Sequence, residues 1–167
     1  HLRALVARRR TAPRDDLVTA LVQAEDGGDT LDERELVGMI FLLVLAGYET
    51  TVNLIGSGAL ALIEHPEQLR RFRENPALAE PGVEELLRYT SPIALASQRF
   101  ASEAVRIGSV RIPRGGLVAA MLGSANHDES QFPQPDVVDL ERDPNRHVAF
   151  GQGPHFCLGA SLARLEG

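Results

Sequence analysis

The feature that most constrains this sequence is one long segment able to form an uninterrupted helix. It opens with Thr30-Leu31-Asp32-Glu33, which matches a capping box in which the Thr and Glu side chains satisfy the free amides of a helix start. From there to Glu64 nothing prevents a single helix of about 33 residues, or about 50 Å. The segment is apolar nearly all round, as a helix inside a core would be. We therefore expect this helix to run through a core larger than these residues alone can supply.

Composition limits the classes of function. The chain has 167 residues, of which 44% are hydrophobic and 24% charged, and Lys+Arg 17 against Asp+Glu 23 give a net charge of −6. These values are typical of an ordinary globular domain. Because neutralising phosphates needs a basic surface, the acidic balance argues against nucleic acid as a partner.

The single Cys and the chain ends lead to expectations about compartment and extent. One Cys cannot form an intrachain disulfide or a four-cysteine zinc site, so we expect a reducing, cytoplasmic compartment. The longest nearly apolar run, Leu36 to Tyr48, is shorter than the roughly 20 residues that span a bilayer, and no membrane anchor is expected in these residues. His1 at the start and an amphipathic pattern cut off at Gly167 suggest one partial domain, 1–167, truncated at both ends.

Shorter helices are predicted around the long one. They span the residues from Asp16 to Gly27-Gly28, from Pro66 to Pro76, and from Pro81 to Tyr89. The pattern then changes to strict alternation over 105–112, which predicts a β-hairpin with a type II′ turn at Gly108-Ser109. Residues 125–149 show little periodicity, and an irregular segment of that length tends to be functional or held by its neighbours.

A glycine-rich loop near the end of the chain carries the single Cys. Glycines let the backbone pass close to something flat or bulky. Cys157 lies at the threshold of a helix, whose free amides and dipole favour thiolate over thiol. A stabilised thiolate is either a nucleophile or a metal ligand. The alternative, which is the commoner case for a lone Cys without context, is a buried and inert side chain.

The loop Phe150-Gly151-x-Gly153-x-His155-x-Cys157-x-Gly159 resembles the haem-binding loop of the cytochrome P-450 family, with each motif residue at the family's spacing. The resemblance implies that Cys157 is the axial thiolate ligand of the iron in haem b, tuned by the amides that follow it. Phe150 would pack against the porphyrin and His155 would contact a propionate. The cofactor-binding residues implied in this loop are Phe150, Gly151, His155, Cys157 and Gly159.

A second group of residues interrupts the apolar helix at Ala46-Gly47-Tyr48-Glu49-Thr50-Thr51. Gly within a helix costs about 1 kcal/mol relative to Ala, and a buried carboxylate costs more unless it has a partner. Thr50 can bond to the carbonyl of Ala46 and bend the helix. One interpretation is a kinked core helix that accommodates a single carboxylate, Glu49. The other is an opened turn that admits a small ligand and water, with Glu49 and Thr50 relaying protons.

These six residues resemble the oxygen-activating motif of the same family. The resemblance implies that Glu49 and Thr50 are catalytic, delivering protons while O2 is activated, and that Ala46 and Gly47 border the haem. The acid–alcohol pair also favours an oxygen-activating member over relatives that use peroxide.

A third motif, Glu85-Leu86-Leu87-Arg88, is a weak signal by itself, because Glu and Arg at this spacing commonly pair on a helix surface. In the family such a pair is buried and linked to a second Arg, for which Arg142 stands at the expected place. The resemblance implies that this cluster fixes the cysteine loop. Arg99, after Pro92, stands where relatives place a propionate-binding Arg; the less favoured alternative is an exposed charge at a strand end.

Together these observations predict a mainly α fold with a small β region, corresponding to the C-terminal portion of the cytochrome P-450 fold. Its parts would be the long oxygen-binding helix, the Glu-x-x-Arg helix, a β-hairpin segment, an irregular segment, the cysteine haem loop and the start of the next helix. The implied activity is that of a haem-thiolate monooxygenase, which inserts one atom of O2 into a small organic substrate. A ferredoxin-like or flavin partner would supply the electrons.

Two alternatives remain open from the residues alone. The chain could be a truncated remnant that binds no haem productively and has no activity. His155 and Cys157 could instead form a zinc or redox-thiol site, although two candidate ligands without a second Cys make a poor zinc site.

Overall fold

The computed structural model describes residues 1–26 and 29–167, and the chain divides into two compact units, His1–Glu49 and Thr50–Gly167. The first unit contains helices α1 (Leu2–Thr11) and α2 (Leu17–Gln23) and the start of α3 (Glu33–Glu64). A short antiparallel ladder joins β1 (Glu25–Asp26) to β2 (Asp29–Thr30). Its core is a small cluster around Val6, Leu36 and Ile40, all of which are buried.

Helix α2 begins as predicted and ends earlier than predicted. The Asp16 side chain caps it by accepting a hydrogen bond from the Thr19 amide at 2.9 Å. The helix ends at Gln23, where the chain becomes extended and enters β1. The predicted end at Gly27-Gly28 lies outside the residues that the structure describes.

The predicted long helix is confirmed, but its cap lies two residues further along. Asp32 accepts hydrogen bonds from the amides of Arg34 and Glu35, at 2.6 and 2.9 Å. The Glu35 carboxylate accepts one in return from the Asp32 amide at 2.8 Å. This is a capping box between Asp32 and Glu35 rather than between Thr30 and Glu33. Thr30 cannot serve as the cap because it is paired with Glu25 in the β-ladder.

Helix α3 is unbroken through both motif residues Gly47 and Thr50. Its central part leaves large apolar side chains uncovered, with Tyr48 72% exposed and Val44 62% exposed. This confirms that these residues alone do not supply the core that such a helix needs. By length and composition α3 could also cross a membrane. The central helix of a large helical protein has the same two properties, so this observation is weak.

The second unit contains the later part of α3 and a series of short elements. They are α4 (Pro66–Glu74), a 3-10 turn (Pro76–Leu78), α5 (Ala79–Thr90), β3 (Arg99–Phe100), β4 (Val105–Ile107), β5 (Val110–Ile112), β6 (Leu117–Val118), α6 (Leu122–Asn126), a 3-10 turn (Gly153–His155) and α7 (Ala160–Glu166). The strands form two antiparallel pairs, β3 with β6 and β4 with β5. The core packs α3 and α5 against Val138 and Leu140 of the irregular segment.

Most predicted boundaries in this unit hold. The hairpin pairs Ile107 with Val110 across Gly108-Ser109, and the positive φ of +56° at Gly108 fits the predicted turn. Helix α5 begins at Ala79, two residues before the predicted Pro81, because proline is tolerated in the first turn of a helix. The segment after α6 has no helix or strand up to the cysteine loop within the described residues, as predicted.

Candidate functional site

The site is anchored by a carboxylate that the fold buries completely. Glu85 and Arg88 on α5 are both 0% exposed. Arg88 donates from Nε and Nη2 to the two carboxylate oxygens of Glu85, both at 2.8 Å. The remaining Nη1 donates to the carbonyls of Asn126 and Pro135, at 2.8 and 2.9 Å. The pair predicted from the Glu-x-x-Arg motif is therefore buried and bidentate, a geometry that fixes both side chains.

Arg142 completes the predicted cluster. Its Nε donates to both oxygens of Glu85 at 3.1 Å, and its other nitrogens donate to carbonyls of the irregular segment, the shortest bond being to Pro133 at 2.9 Å. Two further donors were not predicted. The Asp139 amide donates to Glu85 Oε1 at 2.9 Å, and Asn145 Nδ2 donates to Oε2 at 3.1 Å. One carboxylate thus organises the irregular segment that leads into the cysteine loop.

A second buried side chain, Asn126, holds the entry to the loop. It is 0% exposed at the end of α6. Its Nδ2 donates to Ser91 Oγ at 2.9 Å, and its Oδ1 accepts from the Val148 amide at 2.8 Å. The residue therefore joins the end of α5 to the backbone two residues before Phe150. The sequence offered no signal for this bridge, because its two partners lie 35 and 22 positions away from Asn126.

The cysteine loop is built on glycines in the left-handed region. Gly151 and Gly153 have φ values of +71° and +82°, which side chains with a Cβ rarely adopt. The Cys157 amide donates to the carbonyl of Phe150 at 2.9 Å and closes the loop. Cys157 is a free, exposed thiol three residues before α7. A Cβ at Gly159 would lie 4.0 Å from Cys157 Sγ, which is an ordinary van der Waals distance.

The two side chains expected at the propionates are exposed. His155 lies in the 3-10 turn of the loop. Arg99 lies on β3 and donates from Nη1 to the carbonyls of Ser97 and Gln98, both at 3.2 Å. Among the described residues, neither forms a hydrogen bond or ion pair with another predicted site residue. Their contacts with a cofactor therefore stay predictions.

The oxygen-helix residues occupy successive positions of α3. Ala46, Gly47 and Glu49 are exposed, and a Cβ at Gly47 would meet no atom within 4 Å. The apolar pattern of α3 predicted a buried carboxylate at Glu49, but in this chain Glu49 is exposed, because no described residue covers this part of the helix. Thr51, two residues after Glu49, donates a hydrogen bond from Oγ1 to Glu166 Oε2 at 3.0 Å. Glu166, which the sequence analysis missed, thereby links α3 to α7.

The donors available at Cys157 suit a haem iron better than zinc. No group of three or more His, Cys, Asp or Glu side chains in the described part of the chain could hold a metal ion. Zinc sites normally take three or four protein ligands. A single exposed Cys157 with the apolar residues Phe150, Phe156 and Leu158 in the same loop is instead compatible with holding a haem iron through its sulfur.

Comparison with known proteins agrees with this geometry. The Cytochrome P-450 family model matches residues 77–167. Cytochrome P-450 107B1 of Saccharopolyspora erythraea is 52% identical over 99% of this chain and 41% of its own length. The Vitamin D(3) 25-hydroxylase of Pseudonocardia autotrophica is 49% identical over 100% of this chain and 42% of its own length. The chain therefore spans about two fifths of the length of these curated relatives.

Solved structures give the same result for the fold. The cytochrome P-450 PksS of Bacillus subtilis 168 superposes with a TM-score of 0.94 at 48% identity, covering 98% of this chain and 42% of that protein. The mainly helical fold with small sheets, predicted as a portion of the cytochrome P-450 fold, is therefore confirmed. On the evidence of its cysteine loop, its buried Glu–Arg–Arg cluster and these matches, the chain belongs to the cytochrome P-450 family.

Proposed function

We propose that the complete protein is a haem-thiolate monooxygenase in which Cys157 ligates the iron of haem b. The observation that carries the proposal is an exposed, free Cys157 on a glycine loop that is held on one side by the Glu85 network. A buried network of this kind fixes a loop in one geometry, which a metal ligand requires. Bound haem would supply the activation of O2, so that one oxygen atom enters an organic substrate.

The residues of the loop have separate tasks in this proposal. Cys157 binds as thiolate. Phe150, half-buried and in edge contact with Phe156 at 6.2 Å between ring centroids, packs against the porphyrin. Gly151 and Gly159 keep the backbone close to the sulfur. Arg99 and His155 are both exposed; Arg99 would supply a guanidinium charge, and His155 a ring N–H donor, for the two propionates.

Proton delivery falls to residues of α3. Glu49 holds and releases a proton at its carboxyl, and Thr50 passes it on through its hydroxyl, a relay that needs two groups with exchangeable protons at adjacent positions. Ala46 and Gly47 lie one turn earlier, and their small size leaves space for O2. The bond between Thr51 and Glu166 holds this part of α3 to α7, the helix that follows the cysteine.

The proposed substrate is a small organic molecule, and the proposed electron donor is a ferredoxin-like or flavin protein in the cytoplasm. Support comes from bacterial relatives, one of them named as a hydroxylase of vitamin D(3). That name belongs to the relative, and the substrate of this protein is to be found by binding assays. Residues 92–96, which follow α5, would border it.

The decisive experiment is the ferrous-carbonyl spectrum of the complete protein. A thiolate ligand gives a strongly red-shifted Soret band, and we expect this band in the wild type and its loss in Cys157→Ser. Metal analysis of both proteins separates haem from zinc, since the zinc alternative predicts zinc in the wild type and no haem. A wild-type protein without the red-shifted band would refute the proposal.

The alternative is that the 167-residue chain is a remnant that does not bind haem productively. It is supported by the large apolar surface that α3 leaves uncovered in this chain. Haem titrated into the isolated chain, followed by the same spectrum, tests it directly. Thiolate ligation by the isolated chain would refute the remnant hypothesis. Ligation in the complete protein but not in the isolated chain would mean that only the 167-residue chain by itself fails to bind haem.

A further inference from the structure

Three charged or polar side chains beside the cysteine loop form a cluster that none of the motifs contains. Glu84 on α5 accepts hydrogen bonds from Arg164 on α7, from Nε to Oε1 at 2.6 Å and from Nη2 to Oε2 at 3.1 Å. His147, whose ring is 3% exposed, lies with Nε2 at 3.0 Å from Glu84 Oε2. We call Glu84, His147 and Arg164 the Glu84 cluster. It joins α5, the irregular segment and α7.

The protonation state of His147 follows from its two neighbours. The Ala149 amide donates to His147 Nδ1 at 3.2 Å, so this nitrogen carries no proton. The proton is then on Nε2, which donates to Glu84. Burial lowers the pKa of His147 and so favours the neutral ring, although Glu84 opposes this shift. The cluster therefore contains one negative charge, on Glu84, and one positive charge, on Arg164.

The cluster contacts the cysteine loop at its first residue. The guanidinium carbon of Arg164 lies 4.7 Å from the ring centroid of Phe150, a cation–π distance, and the His147 ring lies 5.9 Å from the same ring. Phe150 in turn accepts the Cys157 amide through its carbonyl. Arg164 is also on the helix that begins three residues after Cys157. Its charge is thus held against the first residue of the loop by Phe150 and Glu84.

The electrostatics agree with this placement. The hydrogen bonds that Arg164 donates to Glu84 are the main cause that raises the pKa of Arg164, and the negative charge of a Cys157 thiolate adds to that effect. Burial raises the pKa of the Glu84 carboxyl, but the hydrogen bonds from Arg164 and His147, together with the charge of Arg164, outweigh burial and leave the pKa below its ordinary value. Both charges are therefore present at neutral pH.

We propose that Arg164 and Glu84 are positioning residues that set the electrostatic potential at the Cys157 thiolate with opposite signs. Arg164 stabilises negative charge at the ligand, and Glu84 holds Arg164 in place while offsetting part of its charge. The inference rests on the proposed function, since it concerns a thiolate bound to haem iron. Reduction of ferric iron adds one electron, so a nearby cation favours the reduced state and a nearby anion opposes it.

The test is the ferric/ferrous reduction potential of the complete, haem-loaded protein, measured by spectroelectrochemistry. We expect Arg164→Gln to shift the potential to more negative values and Glu84→Gln to shift it to more positive values. The double variant should lie close to the wild type. Both substitutions break the same Glu84–Arg164 ion pair. If structural damage rather than charge caused the effect, the reduction potentials of both single variants would therefore shift in the same direction.

Matched controls distinguish the effect of a charge beside the cysteine loop from the effect of changing the net charge of the protein. Glu80→Gln, at an exposed position of the same helix α5, and Arg146→Gln, at an exposed position of the irregular segment, change the same charges elsewhere and should leave the potential near that of the wild type. Arg164→Lys keeps the charge and should also stay near it. If Arg164→Gln loses the red-shifted carbonyl band, retention of that band by Arg164→Lys supports the role of charge.

The outcomes distinguish this inference from the proposed function. A wild-type protein without thiolate-bound haem refutes the proposed function. With the red-shifted band present, shifts of the same sign in Arg164→Gln and Glu84→Gln, or no shift in either, refute the inference alone. Loss of the band in both Arg164→Gln and Arg164→Lys refutes it as well, because the charge would then not be what Arg164 provides.

Discussion

At the scale of single residues, Glu85 carries more of the structure than its motif indicates. The carboxylate is fully buried and its partners come from α5 and from three positions of the irregular segment, Asp139, Arg142 and Asn145. Two guanidinium groups that face one carboxylate in a dry interior depend on that charge. Removing one member of a buried ionic group typically leaves the others uncompensated and costs far more than losing a surface pair.

We therefore predict that Glu85→Gln destabilises the complete protein by about 3–5 kcal/mol. The substitution keeps the size of the side chain and removes only its charge, so Arg88 and Arg142 stay buried without a counterion. Urea unfolding followed by circular dichroism measures the effect. The exposed Glu80→Gln on the same helix should change the free energy of unfolding by no more than about 0.5 kcal/mol. Equal effects of the two substitutions would contradict the role given to Glu85.

A second prediction about stability concerns Asn126, which holds the backbone that leads into the cysteine loop. Asn126→Ala leaves the Val148 amide and the Ser91 hydroxyl without their buried partner, which costs about 1–3 kcal/mol. We also expect haem to dissociate faster, because Val148 lies two residues before Phe150. Transfer of haem to an apo-globin acceptor measures that rate. A variant as stable as the wild type, with unchanged haem loss, would show that Asn126 does not hold the loop.

For Thr50 the prediction concerns chemistry rather than stability. If its hydroxyl passes protons from Glu49, Thr50→Ala lowers the product formed per reductant consumed by about tenfold or more, and peroxide accumulates instead. Thr50→Ser keeps the hydroxyl and should restore most of the coupling. Reductant consumption, peroxide and product are measured together in the complete enzyme. Unchanged coupling in Thr50→Ala would remove Thr50 from the proton relay.

At the scale of elements, the helix and strand boundaries that could be predicted from the sequence were those specified by residues close to the boundary itself. The hairpin was predictable because alternation and a Gly-Ser turn specify it within a few residues, and Pro66 fixed the start of α4 for the same reason. The predicted start of α3 was wrong because two overlapping segments, one beginning at Thr30 and one at Asp32, both match the capping-box pattern. Thr30 was excluded by its pairing with Glu25, a contact that no property of the capping pattern reveals.

The corrected cap predicts a pH dependence for the start of α3. Hydrogen bonds from the amides of Glu35 and Arg34 lower the pKa of Asp32 below its ordinary value. A carboxyl whose pKa is lowered on folding stabilises the fold above its unfolded pKa and loses that effect as the pH falls through the folded one. We therefore expect Asp32→Ala to be less stable than the wild type at neutral pH. The difference should shrink as the pH falls through the lowered pKa of Asp32.

Thermal unfolding of the complete protein between neutral and acidic pH measures this difference. The matched control is Asp29→Ala, which removes an exposed carboxylate of β2 three residues before the cap. Its effect should be small at every pH in that range. A difference between wild type and Asp32→Ala that persists unchanged in acid would mean that the carboxylate does not act as the cap.

At the scale of the whole molecule, the sequence indicated the motifs more readily than the long-range contacts that hold them in place. The cysteine loop and the Glu-x-x-Arg pair are local patterns, readable from spacing. The Asp139 and Asn145 bonds to Glu85, the Asn126 bridge and the Glu84 cluster join residues between 22 and 80 positions apart. Such partners are chosen by packing of the folded chain, and no periodicity in the sequence encodes them.

The uncovered face of α3 gives the last prediction. Val44, Tyr48, Val52 and Ile55 follow one another at helical spacing, and each is more than half exposed. The relatives are more than twice as long as this chain, so we expect this face to lie in the core of the complete protein. In the isolated chain the same face is an apolar surface open to self-association.

One double substitution, Val44→Glu with Val52→Glu, should therefore act in opposite directions on the two proteins. In the isolated chain it should reduce self-association, measured by analytical ultracentrifugation, because two charges interrupt the apolar face. In the complete protein it should lower the free energy of unfolding by several kcal/mol, since two carboxylates would be buried without partners. Ser109→Glu, in the exposed hairpin turn, should change neither quantity. A complete protein that tolerates the double substitution would show that this face of α3 stays open to solvent in the complete protein too.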